Sequence, residues 1–317
     1  MTHKTAYFLA MLFGFLLTAA GIIAAFFGPM ELYSYYLFVE GGRFHYEGFN
    51  FGSFMFGNIA MQIIGYYIIA LLLIPLGYGH LQKISWVPKI SLTLIYTWLI
   101  FGIPIMLILL FIIVSTKVPS LAVIILCAIL LFLSYAVVPF LLIRFYKSDT
   151  IKGVFEQNKK SSNFISLHPV PLLITALLYF FYIYAFHLLL FFKGLFPLFG
   201  KWLIGFDGFI VITFSLLFFV ALILGTLKIK LWIWWASVIY FGSLTISTIL
   251  TLLSSDFSEM VALLNFPERE TNALINIPLQ GFHLAIIFGI PLFLSLSIIL
   301  FSKKYYYEGQ RGIANSK

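Results

Sequence analysis

The chain has 317 residues, of which 62% are hydrophobic, 19% aromatic and only 9% charged, with a formal net charge of +8 at neutral pH. Soluble globular proteins carry about a quarter charged residues, so this composition, with a mean hydropathy of +1.07, excludes a water-soluble domain and calls for lipid as the solvent. The pI near 9.4 does not point to nucleic acid, because the basic residues are scattered over short segments where the positive-inside rule and anionic lipid account for them.

A membrane span needs about 20 mainly apolar residues, and its backbone must be helical so that every N–H and C=O is paired internally. Residues 6–28, 53–76, 90–115, 121–145, 170–192, 209–227, 231–253 and 282–301 meet that requirement. They are apolar all round, whereas barrel strands alternate. The chain therefore reads as all-α, a polytopic integral membrane helical bundle with eight transmembrane helices, one transmembrane domain covering 1–317 and both termini cytoplasmic.

In the first span Ala20, Ala24 and Gly28 recur four apart, a surface that lets a second helix approach closely. The run behind Lys4 is too long for the apolar region of a signal peptide, about 7–15 residues, and reads as an uncleaved helix. Between the first two spans, residues 43–52 place aromatics at alternate positions beside glycine, which predicts extended backbone or a hairpin. On the second span Asn58, Gln62 and Tyr66 make one polar stripe at i, i+4 and i+8.

Pro104, Pro139 and Pro291 each remove a hydrogen bond within a span and predict kinks in the third, fourth and eighth helices. Residues Ile100 to Pro104 and Ile287 to Pro291 share the sequence Ile-Phe-Gly-Ile-Pro in helices of opposite direction, while their flanking spans show no matching pattern. The single Cys127 lies in a span, so neither an intrachain disulfide nor a cysteine-based metal site exists. The segment from Tyr146 to Pro169 is too short to fold a catalytic or nucleotide-binding domain.

The fifth span adds Tyr184 and His187 on one face, and the seventh adds Tyr240, Ser243, Ser247, Thr251 and Ser254 at steps of three and four. Beyond it, Asp256 followed by Glu259 predicts a short surface helix, and Pro267 with Glu268 and Glu270 predicts a second one, together a candidate lid. The eighth span begins with His283 near its outer end.

Charge sets the expected orientation. Fourteen of the nineteen basic residues (Lys4, Lys83, Lys89, Arg144, Lys147, Lys152, Lys159, Lys160, Lys228, Lys230, Lys303, Lys304, Arg311 and Lys317) fall on the side of the termini, which the positive-inside rule makes cytoplasmic. Eight of the eleven carboxylates fall on the other side, and no span carries a charge in its interior. Lysine outnumbers arginine fifteen to four and no glycosylation sequon occurs, as expected for a prokaryotic cytoplasmic (inner) membrane.

Polar residues inside lipid-spanning helices must face a partner or a cavity, so they mark the candidate site. Under this topology Asn58, Gln62, His187, Ser247, Thr251 and His283 share the outer half of the bilayer, and with Tyr66 and Tyr184 they would line a neutral cavity if their helices converge. Interhelical hydrogen bonding explains the same residues without a ligand. A bis-histidine haem at His187 and His283 is allowed by depth, but no attachment motif or second pair supports it, and no cofactor is predicted.

The parts that catalysis needs are missing: no Walker or dinucleotide glycine pattern, no Gly-x-Ser-x-Gly, no zincin helix, and no Asp, Glu or Lys within a span. Two functions remain. One is a non-catalytic structural or accessory subunit of a membrane assembly, with lipid, other membrane subunits or a second copy as partners. The other is a binding or transport protein for a neutral or lipid-like small molecule, through an outward-facing polar cavity.

Overall fold

The computed structural model describes residues 2–115, 120–156, 165 and 168–308; the basic pair Lys159–Lys160 and the tail beyond Glu308 lie outside the described residues. Among the described residues, eight helical segments are long and apolar enough to cross a membrane. They are α1 (His3–Phe38), α2 (Phe54–Leu81), α3 (Val87–Ser115), a fourth segment made of α4 (Leu121–Phe132), a π-helical turn (Leu133–Val137) and α5 (Val138–Lys147), then four more. After the short α6 (Asp149–Glu156) come α7 (Val170–Phe191), strands β1 (Phe196–Leu198) and β2 (Lys201–Leu203), α8 (Phe206–Leu227) and α9 (Leu231–Leu253). Two short helices, α10 (Phe257–Leu264) and α11 (Glu268–Ile275), precede α12 (Gly281–Phe301). Each apolar run coincides with one of the eight, so the chain is a multi-pass helical membrane protein.

The described chain divides into two compact units. One comprises Met1–Leu92, Ile143–Leu167 and Phe266–Glu270; the other comprises Thr93–Leu142, His168–Asn265 and Thr271–Lys317.

The first unit is built on the pairing of α1 with α2. Every buried residue of α1 is alanine or glycine: Ala6, Ala10, Gly14, Gly21, Ala24 and Gly28. Lipid tails are as apolar as leucine, so helices in a membrane gain by close backbone approach rather than by hiding apolar surface. A Cβ at Gly14 would stand 2.8 Å from the His80 Cβ, and one at Gly21 would stand 2.6 Å from Ile74 Cγ1 and 2.9 Å from the Ile74 backbone nitrogen. The expected small-residue surface is thus present, but it runs through Gly14, Gly21, Ala24 and Gly28, and Ala20 is exposed. A seven-residue glycine repeat keeps facing one partner helix, whereas a four-residue step drifts off that line.

At the far end of this pair α1 outruns the apolar span, and one expectation is corrected. The helix does not stop at Gly28 but runs through Pro29 to Phe38, and residues 43–52 form turns rather than a hairpin. Tertiary contacts override the local pattern. The Tyr35 hydroxyl donates to the Phe56 carbonyl at 2.9 Å, and the amides of Phe44 and Tyr46 return to the Leu37 and Phe38 carbonyls at 3.0 Å each, satisfying the open end of α1. The alternating aromatics pack as a cluster instead, with Tyr35 edge-on to Phe49 and Phe56 and Phe38 against Phe44, Tyr46 and Phe49.

At the opposite end of the unit α6 is amphipathic and buries Ile151, Val154 and Phe155. Fully buried His80 lies edge-on to Phe155; its Nδ1–H donates to the Leu76 carbonyl at 2.8 Å and its Nε2 accepts from the Tyr146 hydroxyl at 2.7 Å. Because a carbonyl only accepts, Nδ1 carries a proton, and in the neutral ring Nε2 is left to accept from Tyr146.

The second unit has an aromatic core in which Tyr179, Tyr182, Phe186, Phe219 and Phe241 are buried. Three tyrosine hydroxyls are paired across helices: Tyr179 donates to Ser237 at 2.6 Å, Tyr182 meets Ser295 at 3.0 Å and Tyr306 meets Thr226 at 2.8 Å. Trp234 Nε1–H donates to the Ile299 carbonyl at 2.7 Å, joining α9 to α12. In the fourth segment the π turn lies just ahead of Pro139, and the Val138 amide bonds to Leu133, five residues back. The helix absorbs the proline by widening one turn. Pro104 and Pro291 sit inside continuous helices α3 and α12.

Candidate functional site

The loop between α7 and α8, which carries no sequence expectation of a strand, forms the β1–β2 hairpin with Phe196 opposite Leu203 and Leu198 opposite Lys201. Its tip is Phe199 and Gly200, both at positive φ (42° and 86°), the geometry of a two-residue turn. Hairpin tips leave amide groups unpaired, and near lipid such groups are costly. Here α9 supplies the acceptors: the Phe199 amide donates to Ser247 Oγ at 2.8 Å and the Gly200 amide donates to Thr251 Oγ1 at 2.9 Å. Each hydroxyl then donates onward, Ser247 to the Pro197 carbonyl at 2.9 Å and Thr251 to the Ser247 carbonyl at 2.8 Å. Trp202 Nε1–H adds a bond to Ser255 Oγ at 2.9 Å.

Ser247 and Thr251, two of the candidate cavity residues, are therefore occupied by the protein's own backbone. These two residues of the seventh span hold the hairpin tip, while the Ser254 hydroxyl bonds back to the Leu250 carbonyl of its own helix at 2.8 Å. The signal for that hairpin was present in Phe196-Pro197-Leu198, Phe199-Gly200 and Lys201-Trp202-Leu203, two short apolar runs around a residue pair ending in glycine.

The histidines are also engaged locally. His187 Nδ1–H donates to the Ile183 carbonyl of its own helix at 2.7 Å. His283 takes part in a reciprocal cap at the start of α12, in which the Gln280 side chain receives the His283 amide and His283 Nδ1 accepts the Gln280 amide at 3.1 Å. With Nδ1 accepting, a neutral ring carries its proton on Nε2, and no lone pair is left for iron unless the cap opens. The His283 ring lies 5.1 Å from that of Phe111. Among the described residues no group of three or more His, Cys, Asp or Glu is placed to hold a metal ion.

Tyr184 and Tyr240 lie in the second unit; Tyr184 is half-buried, and the buried Tyr240 hydroxyl has no hydrogen-bond partner among the described residues. Asn58, Gln62 and Tyr66 belong to the first unit, where Asn58 is exposed and Gln62 and Tyr66 are half-buried. Neither amide side chain bonds to a described residue, while Tyr66 packs on Phe27 with ring centroids 5.5 Å apart.

The strongest polar feature of the first unit was absent from the candidate residues. Glu270 is 5% exposed, and its two carboxylate oxygens accept the amides of Phe54 and Met55 at 2.7 and 2.9 Å. These are the first free N–H groups of α2, the positive end of its dipole. Ser53 caps the next amide, that of Phe56, at 3.2 Å. The place of Glu270 in the first turn of α11 predicts a role at the dipole of that helix; α10 and α11 do form after Asp256 and Pro267, but this carboxylate serves a helix more than two hundred residues earlier in the chain. The Arg269 guanidinium lies 5.3 Å from the Tyr46 ring centre. Burial, followed by the neighbouring Glu270 charge, raises the Tyr46 hydroxyl above its ordinary pKa.

No protein-family model matches this chain, and no curated protein or solved structure shows detectable similarity to it.

Proposed function

We propose that the chain is a non-catalytic structural or accessory subunit of a membrane assembly, sited in a prokaryotic cytoplasmic membrane with both termini in the cytoplasm. The observation that carries this reading is how the span polar groups are used. Ser247 and Thr251 hold a hairpin, His187 and His283 bond to nearby backbone, and the hydroxyls of Tyr179, Tyr182 and Tyr306 pair across helices. Groups spent on the fold are not free to bind substrate. The fourth segment adds a long apolar exterior, since α4 has no buried residue. The orientation rests on the charge asymmetry of the loops.

Asn58 and Gln62 favour a second reading, a site for a neutral or lipid-like small molecule, because both amides lack a bond within the described chain. On the subunit reading the same amides bond to a neighbouring transmembrane helix. A photo-crosslinking residue placed at position 58 or 62 in cells separates the two. The subunit reading expects a discrete protein–protein adduct and no thermal shift of the purified protein with neutral solutes. A neutral solute that raises the melting temperature in wild type but not in Gln62→Leu, with no protein adduct, would replace it with the transport reading.

A further inference from the structure

We infer that the end of the second unit formed by the α8–α9 turn and the last turns after α12 is a binding site for the phosphate headgroup of an anionic phospholipid. This inference stands whichever functional reading holds, because it uses none of the residues on which they differ.

The turn from Leu227 to Leu231 is a tightly held reversal. The Lys230 amide returns to the Gly225 carbonyl and the Ile229 amide to the Thr226 carbonyl, each at 3.0 Å, with Ile229 left-handed at φ 51°. Branched side chains strongly disfavour that conformation. It is kept here at a turn that presents Lys228 and Lys230, both exposed, on either side of the strained residue. His168 Nε2–H donates to the Leu227 carbonyl at 2.7 Å and holds the end of α8.

The second pair of cations comes from Lys303 and Lys304. Their segment is fastened to the turn by the Tyr306–Thr226 bond of 2.8 Å and by Trp234 on Ile299 at 2.7 Å. Lys303 Nζ lies 4.7 Å from the Trp234 ring centre and 5.4 Å from that of Trp235, which positions the ammonium over a rigid aromatic floor. Trp232 and Trp235 are 62% and 50% exposed. Exposed indoles at the end of a lipid-spanning helix mark headgroup depth. Four ammonium groups at that depth, with Glu308 the nearest carboxylate in sequence, match a phosphate that is itself tethered in the membrane. A soluble phosphate has the charge but not the acyl chains that the exposed tryptophans would meet.

The test uses the full chain in mild detergent, titrated with phosphatidylglycerol, phosphatidylcholine or inorganic phosphate and read by melting temperature and by native mass spectrometry. Phosphatidylglycerol is expected to bind and raise the melting temperature, while the other two do not. Each lysine near an anionic headgroup contributes about fivefold in affinity, so the variant Lys228→Gln/Lys230→Gln/Lys303→Gln/Lys304→Gln should bind at least about tenfold more weakly. Lys193→Gln/Lys201→Gln, at the hairpin, should bind as wild type does. Should the fourfold variant fail to fold, Lys228→Glu/Lys230→Glu on the exposed turn gives the same reading. Wild-type affinity in the lysine variants, an equal loss in the Lys193/Lys201 control, or an equal shift with inorganic phosphate overturns the proposal.

Discussion

Glu270→Ala is expected to lower the stability of the purified protein by about 2–4 kcal/mol, measured by thermal or denaturant unfolding in mild detergent. The estimate rests on two amides that lose a charged acceptor inside a buried pocket, each such bond contributing about 1.5–3 kcal/mol, with partial relief because the unfolded chain in a micelle also finds partners. Glu270→Gln retains one acceptor oxygen and loses the charge at the helix dipole, so it should fall roughly midway. Alkali supplies an internal control. The Tyr46 hydroxyl has a raised pKa in the folded protein, by burial and then by Glu270. Its contribution is therefore intact below the usual tyrosine pKa of about 10 and fades as the pH climbs through the raised value. Ionised Tyr46 repels Glu270, so the gap between wild type and Glu270→Ala should narrow above pH ~10 and stay constant near neutrality. An alanine variant within about 0.5 kcal/mol of wild type would remove Glu270 as the anchor of α2.

The second large effect belongs to the α1–α2 seam. Gly21→Leu should cost more than about 3 kcal/mol or prevent folding, whereas Ala20→Leu, one residue away, should stay within about 0.5 kcal/mol. The contrast follows from what each side chain meets. A Cβ at Gly21 already stands 2.9 Å from a backbone nitrogen of α2, which cannot swing aside as a side chain can, while Ala20 is exposed. Equal stability of the two variants, or a larger loss at Ala20, would mean that the small-residue surface follows the four-residue step through Ala20, Ala24 and Gly28. Melting temperature and monodispersity of the two proteins decide it.

The spans were legible because hydrocarbon imposes one local rule, an unbroken apolar run of helix length, and composition alone satisfies or violates it. The apolar run 231–253 coincides with α9, and α10 and α11 start directly after Asp256 and Pro267, although the Asp256 side chain makes no cap hydrogen bond. What was not legible depends on partners distant in sequence. The extension of α1 past Pro29 is held by Phe56 and by returning amides from the following loop, and nothing in the Gly28-Pro29 dipeptide signals them. Glu270 belongs to α2 through a contact spanning 216 residues. Polar stripes mark groups that need a partner in lipid, but periodicity does not say whether that partner is a ligand, another helix or a strand turn. On α9 the partner is the hairpin tip. The shared Ile-Phe-Gly-Ile-Pro motif likewise reaches different surroundings, with Gly102 against Tyr135 and Gly289 against Ile249.

If polar side chains in the spans hold the fold together, the amides of Phe199 and Gly200 report it most directly. Hydrogen exchange of the intact protein in lipid nanodiscs should find both protected to nearly the level of the surrounding helices, and Ser247→Ala/Thr251→Val should release them by orders of magnitude. Exchange within seconds in the wild-type protein would mean that Ser247 and Thr251 face an open cavity, and the account would fail.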